Sequence, residues 1–244
     1  MKSPWDRRIA RAHELAQTCE PAAELLAFYA RLTELQRSIA DDLGTHPQTD
    51  PASVAAYFPR LQTLVARHGP PAAASIAPTD LNRLLLDHWN HEPAADEHAR
   101  FVARALLQPF AESLAGRGSV TPDSSSGACP FCGGRPLAAI LRGEGDGGKR
   151  YLVCSLCAIE WEFRRILCPN CGEEDKDRLP VYTAPEFDYI RVEACDACQS
   201  YLKCIDATKN GLAVVAPDEL ASAALNVWAE EHGYSKIEPN LLGL

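Results

Sequence analysis

The stretch "CPFCGG" at Cys129–Gly134 returns 39 residues later as "CPNCGE" at Cys168–Glu173, and each is followed by a second Cys-x-x-Cys pair. The full set is Cys129/Cys132, Cys154/Cys157, Cys168/Cys171 and Cys195/Cys198. Between the pairs lie 21 residues in the first set and 23 in the second, whereas only 10 separate Cys157 from Cys168. The region is therefore an internal duplication with a period of about 40 residues. Each copy holds a pair, a hairpin-length insert and a second pair.

A Cys-x-x-Cys turn aims two sulfurs at one point. Gly133 and Gly172, directly after the second cysteine, let the backbone curl around the sulfur without a Cβ clash. Two such knuckles facing each other make a tetrahedral four-sulfur site, the geometry of structural zinc or of a single rubredoxin-type iron. Other cysteine chemistries fit less well. A thioredoxin-like motif uses one Cys-x-x-Cys in a strand–helix context, the common ferredoxin spacings differ, and no His follows a second cysteine as c-type haem attachment requires. Cys129, Cys132, Cys154, Cys157, Cys168, Cys171, Cys195 and Cys198 are the expected ligands of two mononuclear metal ions. The spacing serves iron and zinc alike. A copy of this size is too small to bury an adequate core alone, and a structural metal supplies roughly 10–16 kcal/mol in small peptides.

The chain has ten cysteines, nine of them between Cys129 and Cys204, with Cys19 alone in the N-terminal half. A disulfide framework is the simplest reading of an even count, but "MKSPWDRRIARAHELA" has no apolar run of the kind a secretory signal needs. In a reducing compartment, clustered cysteines more often bind metal. The expectation is a soluble, cytoplasmic chain without membrane insertion, since no stretch approaches the ~18 apolar residues of a membrane helix. Cys204, in "YLKCID" and without a partner pair, is expected in the core. Four thiolates around a divalent ion carry −2, so two sites take the formal net charge from −9 to −13. Residues 129–206 hold 10 Lys and Arg against 13 Asp and Glu, which argues against nucleic acid as a partner.

The first half reads as helices. Leu25, Phe28, Leu32, Leu35 and Ile39 share one helical face, and Val54, Phe58, Leu61 and Val65 repeat the pattern after an expected cap at Ser53. Pro59 starts or kinks that second helix. Thr79 or Asp80 caps a third carrying Leu81, Leu84, Leu85 and Trp89, and a fourth runs from Ala94 to Ala115 with a kink or break at Pro109. His88, His91 and His98 have no acidic or cysteine pattern beside them and are expected as structural or surface residues. "AGRGSVTPDSSSGA" reads as a linker. Strands are expected in "RYLVC", "IEWEFRRILC" and "FDYIRVEAC", with turns at "EGDGGK" and "GEEDKDRLP". Near the C-terminus, Pro217 opens a helix with Leu220, Ala224, Val227 and Trp228 on one face and a stop at Gly233, and the apolar "NLLGL" packs against the body.

"CPFCGGRP", "RYLVCSLCAIEWEFRRILCPNCG", "YIRVEACDACQSYLKCID" and "LNVWAEEHGYSKIEPNLLG" resemble the signatures of the formate dehydrogenase accessory protein family, FdhE. The resemblance is close from Cys129 to Gly243 and looser over the helical half. It implies a cytoplasmic accessory protein, not an enzyme, that acts on the formate dehydrogenase catalytic subunit and carries rubredoxin-like iron on the eight paired cysteines. Glu193, Asp196, Tyr201 and Lys203 match the family's pattern around the last knuckle. Read from chemistry alone, Tyr201 packs on the sulfur cage and Lys203 is solvated. As a group the four form a docking surface for a partner. No nucleophile–base or acid–base constellation is evident. A rubredoxin-like electron carrier is the alternative function. The expected architecture is α+β and multidomain: an all-α N-terminal domain (1–118), a linker (119–128), two tandem rubredoxin-like or zinc-ribbon domains (129–166 and 167–210), and a C-terminal helix and tail (211–244).

Overall fold

The computed structural model describes residues 3–70, 80–93, 96–118, 125–144 and 147–244. Helix α1 (Pro4–Thr18) starts on a capping box: the Asp6 N–H donates to the Ser3 hydroxyl, and the Ser3 N–H to the Asp6 carboxylate, both at 3.1 Å. Helix α2 (Ala23–Thr45) packs between α1 and a later helix, α5 (Glu97–Ala115). Being covered on two sides, α2 buries more than the expected face. Leu32 and Ile39 are fully buried, but so are Leu26, Ala30 and Thr33 beside them.

One cap differs from expectation and one agrees. Asp50, not Ser53, takes the Ala52 N–H at 2.9 Å and opens a short 3-10 helix, Pro51–Tyr57. Helix α3 (Phe58–His68) follows with Pro59 in its first turn, where a missing N–H costs nothing. Helix α4 (Leu81–Trp89) is capped by Asp80, whose carboxylate accepts from the Arg83 N–H at 3.0 Å; Thr79 lies outside the described residues.

Pro109 does not divide α5. A proline leaves the carbonyl four residues earlier without its helical donor. That carbonyl belongs to Ala105, and Gln36 Nε2 from α2 donates to it at 3.0 Å. A side chain from the neighbouring helix thus replaces the missing backbone bond.

The cysteine-rich half is a single seven-stranded sheet in the order β3-β2-β1-β6-β5-β4, with β7 paired to β6. Its strands are β1 (Pro136–Glu144), β2 (Gly147–Cys154), β3 (Glu160–Glu162), β4 (Val181–Thr183), β5 (Ile190–Cys195), β6 (Ser200–Asp206) and β7 (Ser235–Lys236). Pairings within each copy are antiparallel, and a parallel β1–β6 pairing at Ala139/Cys204 and Ile140/Ile205 joins the copies. The expected strand "IEWEFRRILC" is reduced to Glu160–Glu162, because the chain must leave β3 to reach the next knuckle.

The expected C-terminal helix is two, α6 (Val215–Ala221) and α7 (Ala223–Glu231), broken at Ser222. The break rotates the expected face: Val227 and Ala224 are exposed, and Leu225, Asn226 and Ala229 are buried instead. Gly233 stops α7 in the left-handed region (φ 82°). Leu241 is buried in the main core and Leu242 packs against it.

That main core runs from the helices into the first copy, taking in Leu106, Phe110, Cys129, Cys154, Leu156 and Trp161. A second, smaller core joins β5 and β6 to α7 through Val192, Tyr201, Leu225 and Ala229. The helical half and the first ribbon therefore fold around shared apolar surface, which Leu167, Leu202 and Cys204 of the second ribbon also enter, while the rest of the second ribbon packs in the smaller core. No described helix is long and apolar enough to cross a membrane.

Candidate metal centres

Each knuckle ends on a residue in the left-handed region, placed directly after the second cysteine: Gly133 (φ 73°), Ala158 (φ 56°), Gly172 (φ 78°) and Gln199 (φ 53°). The turns close on backbone bonds in matching register. Gly133 N–H donates to the Cys129 carbonyl at 2.9 Å and Gly172 N–H to the Cys168 carbonyl at 3.0 Å. The duplication seen in the sequence is thus a repeated backbone conformation.

These turns bring the eight sulfurs together as two quartets, Cys129/Cys132/Cys154/Cys157 and Cys168/Cys171/Cys195/Cys198, each with its sulfurs within 4.8 Å of one another. Neighbouring sulfurs stand 3.4–3.6 Å apart in the first and 3.7–3.8 Å in the second. A disulfide would need about 2.05 Å, so none of these thiols is bonded to another. A tetrahedron with metal–sulfur bonds of about 2.3 Å has edges near 3.8 Å, which the second quartet matches and the first approaches. Backbone N–H groups point at the sulfurs: Leu156 at Cys154 and Asn170 at Cys168, both at 3.4 Å. Such donors favour thiolate over thiol.

Four thiols this close do not all ionise by themselves. In the first quartet the neighbouring sulfurs push the Cys129 thiol down and the Cys157 thiol up, as negative charge settles on one member at another's expense. In the second, burial pushes Cys195 up to about 12. Burial also opposes ionisation of Cys198, yet hydrogen bonds from Ser200 and Asn170 hold its thiol at about 6. A cation at the centre of a quartet removes this competition, so the donor set fits a metal ion. Each quartet can hold one.

The first quartet is gripped from the helical half by residues whose roles the spacing did not disclose. His91, expected as structural or surface, sits in the turn after α4 with φ 62°, and its Nε2 meets the Cys132 carbonyl at 2.6 Å. From α5, Arg104 and Gln108 both donate to the Ser155 carbonyl, at 3.3 and 2.9 Å. These are side chain to backbone contacts across 41, 51 and 47 residues, invisible to any local pattern. Of the other two histidines, burial pushes His88 down to about 4, and His98 is exposed.

Ala substitutions at the two knuckle glycines test the His91 contact. Both place a side chain in left-handed backbone at a cost of about 1 kcal/mol. At Gly133 the added Cβ also lies 2.9 Å from His91 Nε2, whereas at Gly172 nothing lies within 4 Å. Gly133→Ala is expected to lower the calorimetric unfolding midpoint further than Gly172→Ala; equal shifts would remove the contact from the account.

Of the four residues around the last knuckle, only Asp196 is exposed, and its carboxylate accepts from the Tyr234 hydroxyl at 2.6 Å. Glu193 is tied to Arg150 and Arg191 at 2.8 and 2.6 Å. Tyr201 lies in the second core. The expectation that Lys203 is solvated is overturned. Its Nζ is fully buried, 2.7 Å from Glu219 Oε1, because β6 is a central strand whose side chains are covered on both faces. Cys204 is fully buried and outside both quartets.

An all-helical half joined to two fused four-cysteine ribbons defines a protein with two candidate metal sites. Comparison with known proteins makes the assignment specific. The family model of the FdhE central domain matches residues 128–165, and that of the FdhE C-terminal domain matches 166–242. A protein FdhE homolog of Pseudomonas aeruginosa is 32% identical over 97% of this chain and 88% of the relative. Another from Aquifex aeolicus is 32% identical over 77% of this chain and 69% of that protein. The crystal structure of the FdhE protein from Pseudomonas aeruginosa superposes with a TM-score of 0.73 at 27% identity, covering 99% of this chain and 96% of that one. The chain belongs to the FdhE family.

Proposed function

We propose that this chain is a non-catalytic accessory protein that binds the catalytic subunit of a formate dehydrogenase in the cytoplasm during its maturation, with one metal ion in each quartet. The observation that carries the reading is the pair of quartets built on one continuous sheet in a member of the FdhE family. Iron of the rubredoxin type is the metal we favour, with zinc as the other ion the same donors suit. Our proposed layout keeps the helical domain at 1–118, the ribbons at 129–166 and 167–210, and the C-terminal segment at 211–244.

Binding of a polypeptide is supported by an open cleft of about 520 Å³ between α1, the β1–β2 hairpin and the segment before α6. On its rim the Leu212 side chain is 72% exposed. Asp196, beside the second knuckle and open to solvent, is the one of the four residues we place in direct contact with the client. Glu193, Tyr201 and Lys203 would support that surface from beneath. Electron transfer is the second reading, favoured by Cys171, which brings the second quartet to the surface.

Purified, metal-loaded chain is expected to comigrate with a formate dehydrogenase catalytic subunit on size exclusion, and Asp196→Arg to weaken that association. Separate migration under both oxidising and reducing conditions would sink the client reading. Protein isolated from iron-replete cells under anaerobic conditions is expected to absorb in the visible and to bleach on reduction. A colourless, redox-silent product would exclude iron and with it electron transfer.

A further inference from the structure

The two quartets are unequal in what surrounds them. In the first, three cysteines are buried and Cys132 is half-buried. Both of its knuckles are held at their backbone carbonyls by side chains from the helical half, the one at Cys132 by His91 and the one at Ser155 by Arg104 and Gln108. Cys129, Cys154 and Cys157 also belong to the main apolar core. The second quartet has Cys171 exposed and Cys198 half-buried, and the knuckle residue Gly172 has open space around it. The side chains that reach its sulfurs, Asn170 and Ser200, come from its own ribbon.

Loss of an ion from a tetrathiolate begins when one sulfur leaves and an incoming donor takes its place. The departing thiolate has to be hydrated or protonated, and its knuckle has to move. At Cys171 solvent already stands beside the sulfur. At the first quartet the same step breaks a hydrogen bond to the helical half and opens apolar core to water.

We infer that the two sites divide their roles kinetically: the second quartet is an exchange site that releases and recovers its ion at the Cys171 edge, while the first retains its ion as the joint between helices and ribbon. In the exchange, the Cys171 sulfur–metal bond breaks, a bond from the incoming donor to the metal forms, and the freed thiolate takes a proton from solvent. No electrons change hands. The inference rests on the metal-binding part of the proposed function and is independent of which client is bound.

The test uses the full chain loaded with zinc and challenged with excess 4-(2-pyridylazo)resorcinol at neutral pH. Two release steps of equal amplitude are expected, with rates at least about tenfold apart. Cys171→Ser is expected to abolish the fast step and leave the slow one. His91→Ala combined with Gln108→Ala is expected to speed the slow step by about tenfold and leave the fast step as it was. This variant keeps all eight ligands and decides the matter even where Cys171→Ser folds poorly. A single rate for both ions overturns the inference, as does acceleration of the fast step by the His91 and Gln108 substitutions. Failure to bind any zinc would overturn the metal reading itself, a result distinct from two ions leaving together.

Discussion

Cys157→Ser is expected to lose one metal equivalent and to destabilise the helical half as well as its own ribbon, by about 5 kcal/mol or more. Cys157 is buried within the apolar core that also contains Leu106, Phe110 and Ala111 of α5. Losing the ion leaves the remaining thiols of that quartet competing for charge in a buried site and frees the Ser155 knuckle, to which Arg104 and Gln108 are bonded. The exposed ligand is the control. Cys171→Ser is expected to lose one equivalent too, yet to leave the helical melting transition close to that of the parent, since Cys171 is exposed and lies outside the main core. Metal analysis with thermal melts followed by far-ultraviolet circular dichroism distinguishes the two. If Cys157→Ser lost its ion while the helices melted unchanged, the first quartet would not be the joint described above.

Glu219→Gln is expected to cost about 3–5 kcal/mol at pH 7. Its carboxylate, fully buried on α6, lies 2.7 Å from Lys203 Nζ, also contacts Lys236 Nζ, and accepts from Asn240 Nδ2 at 2.8 Å. Together these tie β6, the C-terminal helices and the tail into one polar knot, and the amide would leave two buried ammonium groups without their counter-charge. Burial opposes the ionisation of Glu219, but Lys203 and Lys236 overcome it and hold the carboxyl down at about 2, against an ordinary 4.5. A carboxyl held low in the folded state stabilises fully above pH 4.5, and that contribution drains away as the pH falls towards 2. The gap between parent and variant is therefore expected to be widest near neutrality and to close between pH 4.5 and 2 in denaturant titrations. A gap that stayed constant over that range would show that Glu219 does not act through its charge.

How much of this was legible in the chain depends on the distance over which each feature is decided. Asp80 as a cap, Gly233 as a stop and the left-handed turns at Gly133 and Gly172 were readable, because each is set by groups a few residues apart. At Pro109 the break, one of the two alternatives expected there, misled for the complementary reason. The break it predicts is averted by Gln36, which lies far away in sequence and declares nothing about its target. Lys203 misled likewise: in "SYLKCID" it looks like a solvated charge, and only the covering of β6 by α6 and β1 shows why it needs Glu219. Of the face assigned to the C-terminal helix, Leu220 and Trp228 pack as expected, whereas Ala224 and Val227 do not because Ser222 interrupts the helix, a break that leaves no proline or glycine behind as a marker.

Spacing alone made the ligand chemistry legible, since two cysteines three residues apart on a tight turn aim both sulfurs the same way. It determined, too, that the motif was duplicated, and hence that there are two sites. How the sites differ emerged only on folding: which is sunk into the helical core and bound by His91, Arg104 and Gln108, and which brings a cysteine to the surface. The physical reason is that burial and cross-domain hydrogen bonds belong to pairs of residues dozens of positions apart, brought together only when the two halves share a core.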